Sequence, residues 1–197
     1  MTEHKIGGIL LAAGGSTRLG EPKQLVVYKN STLIRRATKA LLGARCSPVV
    51  VVVGDDARSA TELEGLGVRI CKNEEWRSGM GSSLKAGLKL LMKDAPELDA
   101  AIIALSDQPF VTADDIKSLT REFRRSSSDI VAAEYGATRG VPALFSRAIF
   151  TSLSDISDKN GARDLIRSGT FSVSGVPMPD AIRDIDTPQD LQKLRST

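Results

Sequence analysis

An apolar run from Ile6 to Ala13 stops at Gly14 and Gly15 and gives way to a polar turn carrying Ser16, Thr17 and Arg18. Gly20, Glu21, Pro22 and Lys23 follow. The run is too short to cross a bilayer and fits a single buried strand. A glycine-rich turn leaving the carboxyl end of such a strand lets backbone N–H groups approach a polyphosphate. Arg18 and Lys23 lie nearby in sequence to offset part of its charge. Two commoner phosphate loops do not fit. Gly15 and Gly20 have the spacing of a P-loop, but Glu21 and Pro22 take the places of its Lys and Ser/Thr. Gly14, Gly15 and Gly20 do not make the G-x-G-x-x-G of a dinucleotide fold.

Downstream, strand and helix patterns alternate. Leu25 to Tyr28 form a short apolar piece, with a turn at Lys29-Asn30. Ser31 or Thr32 caps a helix reaching about Leu42. Val49 to Val53 is an unbroken β-branched strand. A weaker helix ending near Glu64 and a strand from Val68 to Cys71 come next. Gly79-Met80-Gly81 then precedes Ser82 and Ser83, which open an amphipathic helix carrying Leu84, Leu88 and Leu91. The glycine turn and hydroxyls serve either a bound nucleotide or ordinary capping. Trp76 either stacks on a ligand or fills a gap.

Ala100 to Leu105 is the next strand, with Ser106-Asp107-Gln108-Pro109 at its carboxyl end and a helix cap at Thr112 to Asp115. Asp129 to Glu134 reads as a strand, Arg139 to Pro142 as a turn, and a helix begins near Ser146. A short helix at Ala162 to Ile166, a strand at Phe171 to Val176 and a final helix after Thr187-Pro188 complete the chain. This alternation predicts an α/β fold with a mostly parallel sheet covered on both faces, in one domain over residues 1–197.

The net charge is +3, with Lys and Arg scattered, and only 4% of residues are aromatic. That balance suits a small anionic substrate and leaves few stacking platforms for nucleic acid. The single histidine, His4, rules out a Ser–His–Asp triad, a Cys–His dyad and a His-built zinc site. Cys46 and Cys71 lie far apart and make no CxxC pair, the expectation for a cytoplasmic protein with reduced, packed thiols. Lys5 before the apolar run imitates a signal peptide, but Gly7, Gly8 and the loop behind the run favour a core strand, and no membrane contact is expected.

A triphosphate held by the first loop carries about four negative charges, more than Arg18 and Lys23 neutralise, so a divalent cation is expected, Mg²⁺ above all. Asp107 and Asp186 each follow a strand, and parallel strands bring their carboxyl ends to one rim. Asp184 alternates with Asp186 along an extended segment, so the two are expected to face opposite ways, with Asp186 the metal ligand. The other reading of both acids is as turn or cap residues.

The stretch from Leu11 to Lys23 fills every position of the L-A-A-G-x-S-x-R-x-G-x-x-K signature that it resembles, that of nucleotidyltransferases. With Gly79 to Ser83, Ser106 to Pro109, Gly140 to Phe145, Lys159 to Arg163 and Asp184 to Leu191, the chain is similar to the molybdenum cofactor cytidylyltransferase group of the MobA-like family. The resemblance implies a three-layer α/β/α nucleotidyltransferase domain, GT-A-like and Rossmann-like. It implies transfer of CMP from CTP (or GMP from GTP in the guanylyl branch) to the terminal phosphate of molybdopterin cofactor, with release of pyrophosphate. A molybdoenzyme or its chaperone is the implied recipient.

Carried over by position, Leu11, Ala12, Ala13, Gly14, Gly15, Ser16, Arg18 and Lys23 bind the nucleotide together with Gly79, Ser82 and Ser83. Lys23, Arg18 and Asp107 act in catalysis, and Asp107 and Asp186 hold Mg²⁺. One departure stands out: Val141 occupies a place where this group often carries a polar residue, commonly His. A sugar-1-phosphate nucleotidyltransferase or a non-catalytic nucleotide-binding module are the competing readings.

Overall fold

A computed structural model describes residues 4–16 and 19–195. Strand β1 (Ile6–Ala12) is buried along its whole length. The small strands β2 (Val27–Tyr28) and β3 (Ser31–Thr32) form an antiparallel ribbon, turned at Lys29 and Asn30, both with positive φ. Helix α1 (Leu33–Gly43), strand β4 (Val49–Val53), helix α2 (Ala57–Thr61) and strand β5 (Arg69–Lys72) follow. Then come helix α3 (Met80–Asp94), strand β6 (Ala100–Leu105), helix α4 (Ala113–Ser126) and strands β7 (Ile130–Tyr135) and β8 (Thr138–Ser146). Helices α5 (Phe150–Ser154) and α6 (Ala162–Arg167), strand β9 (Val173–Pro177) and helix α7 (Pro188–Arg195) complete the order.

Seven strands make one sheet in the order β5-β4-β1-β6-β8-β7-β9. Strand β8 runs antiparallel to both its neighbours, while the other pairings are parallel. Alternate residues of the central strands feed two cores. Ile9, Val50, Val52 and Ile103 face α3, whose Leu84, Leu88 and Leu91 are fully buried at helical spacing. Leu10, Val51, Ile102 and Ala104 face α1 and α4 through Ile34, Leu41, Ile116 and Leu119. Each of these leucines and isoleucines contributes about 1.5–3 kcal/mol by leaving water. The three-layer α/β expectation is met. None of the described helices is long and apolar enough to cross a membrane.

The region around β8 differs from the expectation. Arg139 to Pro142 is strand, and the turn lies before it, around Gly136. The pairing of β7 with β8 jumps from Ala132–Ala143 to Ala133–Gly140, so Val141 and Pro142 form an irregularity inside the ladder. A proline tolerated at a bulge is hard to tell from a proline in a turn when only the sequence is read. The helix expected from Ser146 starts at α5, behind a 3-10 turn at Arg147–Ile149.

A third, smaller cluster closes the fold on the side of the first loop. Leu191 and Leu194 of α7 pack with Ile185 against Leu19, Val26, Tyr28 and Leu33. The end of the described chain is thereby tied to the segment that follows β1.

Candidate active site

The carboxyl ends of β1 and β6 open onto a cleft with a volume of about 270 Å³. Leu11, Ala13, Gly14, Gly15, Lys23, Gly79, Ser83 and Asp107 line it, and so does Trp76. Gly14 and Gly15 are exposed, leaving their backbone open to a ligand. Ser16 does not line this cleft; its hydroxyl accepts a hydrogen bond from the Lys23 backbone N–H at 2.8 Å and so sets where the lysine begins. Ala12 points into the opposite core. Arg18, expected to act in nucleotide binding and catalysis, lies outside the described residues.

The two serines of α3 separate into different roles. The Asn73 side-chain amide donates to the hydroxyls of both Ser82 and Ser83 at 2.9 Å. The Ser82 hydroxyl itself donates to the Glu75 and Gly79 carbonyls, at 3.0 and 2.8 Å, so it braces the turn before α3. Ser83 alone of the pair lines the cleft. Asn73 was not expected to matter, and its place just after β5 is its only sequence signal.

The acids converge on Lys23. Its ammonium donates to Asp107 Oδ2 at 2.5 Å and to Asp186 Oδ1 at 2.9 Å. Burial works to lower the lysine pKa, but the Asp107 charge, the hydrogen bonds to both acids and the Asp186 charge together hold it above its ordinary value. Asp186 is positioned by the start of α7, where the Asp190 carboxylate accepts from the backbone N–H groups of Asp186 and Thr187 at 3.3 and 2.9 Å. Asp107 follows β6, and Gln108 behind it donates to the carbonyls of Val141 and Ala181 at 3.0 and 2.7 Å. That buried glutamine links β6 to β8 and to the approach to Asp184.

Asp184 and Asp186 do not face opposite ways. A 3-10 turn at Pro179–Ile182 precedes them, and the Asp184 N–H donates back to the Ile182 carbonyl at 3.1 Å. The segment is turned and not extended, so strand alternation does not apply, and both acids line one cavity together with Asp107. The cavity wall, then the charges of Asp107 and Asp186, push the Asp184 pKa up, although the side chain keeps contact with solvent.

One oxygen of this cluster has no protein partner. Asp107 Oδ1 is buried without a hydrogen bond. Hard carboxylate oxygens beside an open cavity suit a divalent ion that shares its shell with substrate oxygens and water. Among the described residues no three His, Cys, Asp or Glu side chains are arranged to enclose a metal by themselves. The donor set therefore fits Mg²⁺ held partly by a phosphate ligand.

The cavity shared by the three acids measures about 610 Å³ and meets the first cleft at Leu11, Lys23, Met80, Leu105 and Asp107. Its far wall is the loop at 157–161 and the start of α6. That loop is seated on the start of α3, where the Gly81 N–H donates to the Asp158 carbonyl at 2.9 Å and Lys85 pairs with Asp158 at 2.5 Å. A β-carbon on Gly79 would run into the Asp158 carbonyl and one on Gly81 into that of Ser157. The arrangement offers two adjoining compartments, with a lysine and the acids at their junction.

The chain is similar to known proteins in sequence and in fold. The chain is 31% identical to nicotine blue oxidoreductase of Paenarthrobacter nicotinovorans, over 96% of each chain. It is 25% identical to the molybdenum cofactor guanylyltransferase of Rhodobacter capsulatus, covering 96% of this chain and 94% of that one. To the molybdenum cofactor cytidylyltransferase of Escherichia coli K12 it is 23% identical, covering 92% and 91%. Among solved structures, the homolog of Mycobacterium tuberculosis Rv0371c from Mycobacterium sp. strain JC1 superposes with a TM-score of 0.81 at 32% identity, covering 98% of this chain and 96% of that one. Residues 8–173 match the MobA-like NTP transferase domain, and the protein belongs to that family of nucleotidyltransferases.

Proposed function

We propose that this protein transfers CMP from CTP to the terminal phosphate of a molybdopterin-type acceptor and releases pyrophosphate. The observation that carries this reading is the position of Lys23, bridged to Asp107 and Asp186 where the two compartments meet. The nucleotide lies in the cleft behind Gly14, Gly15 and Ser83, and the acceptor lies in the cavity walled by the 157–161 loop. The acceptor phosphate is already anionic at neutral pH, so no side chain has to take a proton. One of its oxygens forms a bond to the α-phosphorus in line, and the bond to the bridging oxygen breaks as pyrophosphate leaves with the electron pair.

Lys23 places a fixed positive charge beside the transferring group, and the loop amides hold the remaining phosphates. The contribution of these residues is positioning and charge stabilisation. Mg²⁺ held by Asp107 and Asp186 supplies, when bound, neutralisation of the triphosphate and polarisation of the α-phosphate. The names of the Rhodobacter and Escherichia relatives support the acceptor, and Ala13 in the first loop supports CTP over GTP. The oxidoreductase name of the Paenarthrobacter relative finds no dinucleotide spacing in the loop after β1. The test is pyrophosphate release with Mg²⁺, CTP or GTP, and molybdopterin. Release with CTP supports the reading, release only with GTP moves the protein to the guanylyl branch, and none with either rejects it.

A further inference from the structure

The larger cavity contains charges that the lysine–acid junction does not use. Lys23 is engaged by Asp107 and Asp186. Asp164 accepts from the Gly161 N–H at 3.2 Å. Asp158, the acid of the loop, is taken by Lys85. Two cations on the same wall, Lys159 and Arg163, line the cavity with no side-chain hydrogen bond or ion pair among the described residues. Arg163 is also restricted in where it lies. Its Nε comes to 3.6 Å from the point where a β-carbon on Gly140 would be, so the guanidinium stem rests against β8 beside Val141. Ile103, Leu105 and Val141 give the same cavity an apolar floor.

Charge balance shows what these features suit. An anionic group entering next to Asp107, Asp184 and Asp186 is repelled unless cations face it from the other side. A guanidinium offers a planar pair of donors to a phosphate, and an ammonium adds a point charge. A neutral alcohol needs neither. We propose that Lys159 and Arg163 form an anion clamp that seats the reacting phosphate of the acceptor, selecting phosphomonoesters with an apolar or planar body over neutral hydroxyl acceptors. This rests on the nucleotidyl-transfer reading above and names the acceptor class that the site takes.

The test is calorimetric titration of phenyl phosphate into the full chain saturated with Mg²⁺ and α,β-methylene-CTP, which cannot transfer its nucleotidyl group. Wild type is expected to bind phenyl phosphate and not benzyl alcohol. Arg163→Ala and Lys159→Ala are each expected to weaken binding by about 10- to 100-fold, the loss of one charge-assisted hydrogen bond. Arg163→Lys is expected to recover part of it. Fluorescence of Trp76, the only tryptophan and part of the nucleotide cleft, should report the same nucleotide affinity in all variants. Failure of wild type to bind phenyl phosphate, unchanged binding in both alanine variants, or a loss of nucleotide affinity in Arg163→Ala would overturn the clamp. Pyrophosphate release with molybdopterin is a separate reading: phenyl phosphate binding as expected without that release rejects the molybdopterin assignment and leaves the clamp standing.

Discussion

The backbone N–H of Ile185 donates to the carbonyl of Asp107 at 3.0 Å. This one bond joins two segments far apart in the chain and brings Asp184 and Asp186, the neighbours of Ile185, to the loop that follows β6. Ile185 is itself anchored, buried with Leu191 and Leu194 against Leu19 and Val26. Apolar packing from α7 and the shared hydrogen bonds to Lys23 thus hold together acids whose charges repel one another.

Asp184 should reveal that repulsion through pH. Its pKa lies above the usual carboxylate range through the cavity wall and the charges of Asp107 and Asp186. A raised folded-state value gives stability that is complete below the unfolded value, near pH 4, and is lost as pH rises through the folded one. Near neutral pH the ionised Asp184 therefore costs stability, an effect weakened by the solvent that reaches it. Asp184→Asn is expected to raise the unfolding midpoint by about 1–3 °C at pH 7, and not at pH 4. It should also reduce pyrophosphate release, though less than Asp107→Asn does. Thermal unfolding at the two pH values decides it, and a lower midpoint at pH 7 would remove the argument.

Much of this was legible in the sequence. The buried run of β1, the valines of β4 and the leucines of α3 follow from periodicity and burial, both local signals. Asp107 was legible because the end of a parallel strand is defined by the strand itself. Asp184 was not, because the turn at Pro179–Ile182 and the bond from Ile185 to Asp107 are tertiary facts that no local pattern records. The same holds for Asn73, whose bonds to Ser82 and Ser83 appear only once β5 and α3 are packed side by side. Arg139 to Pro142 misled because glycine and proline in sequence point equally to a turn and to an irregular strand.

Lys23 serves as the shared counter-ion of two acids. Lys23→Ala should reduce transition-state stabilisation by about 2–4 kcal/mol, by analogy with removal of a preorganised donor. It should also lower the unfolding midpoint, since Asp107 and Asp186 then face each other unneutralised, and added Mg²⁺ should restore part of that loss. Turnover at saturating CTP and unfolding with and without Mg²⁺ measure the two effects. A change confined to KM would mean that Lys23 contributes only uniform binding.

Gly81 ties the 157–161 loop to α3. Its N–H holds the Asp158 carbonyl at 2.9 Å, and a β-carbon there would meet the Ser157 carbonyl. Gly81→Ala must push the 157–161 loop away from α3, at a cost of about 1–3 kcal/mol in stability. Because that loop walls the larger cavity, the proposed place of the acceptor, KM for the acceptor should rise more than KM for the nucleotide. Steady-state kinetics with each substrate varied in turn would show it; equal effects on both would mean that the loop acts on the whole site.

The choice between CTP and GTP is expected to turn on Ala13. The family resemblance implies that guanylyltransferases typically carry Gly at this position. In the structure Ala13 is almost fully buried and lines, together with Trp76, the cleft proposed to take the nucleotide. The neighbouring space is already tight: a β-carbon on Gly54 would come to 3.2 Å from the Ala13 carbonyl oxygen and 3.3 Å from the Trp76 ring. A methyl group at this point is tolerated under a single pyrimidine ring and crowds the second ring of a purine. Discrimination by one methyl in a packed pocket is worth about 1–3 kcal/mol, or roughly 10- to 200-fold, and is not absolute. Ala13→Gly should accordingly raise kcat/KM with GTP more than it lowers kcat/KM with CTP. The measurement is kcat/KM for both nucleotides with one common acceptor, in wild type and in the variant. Wild-type protein that used GTP as well as CTP would sink the assignment of selectivity to Ala13.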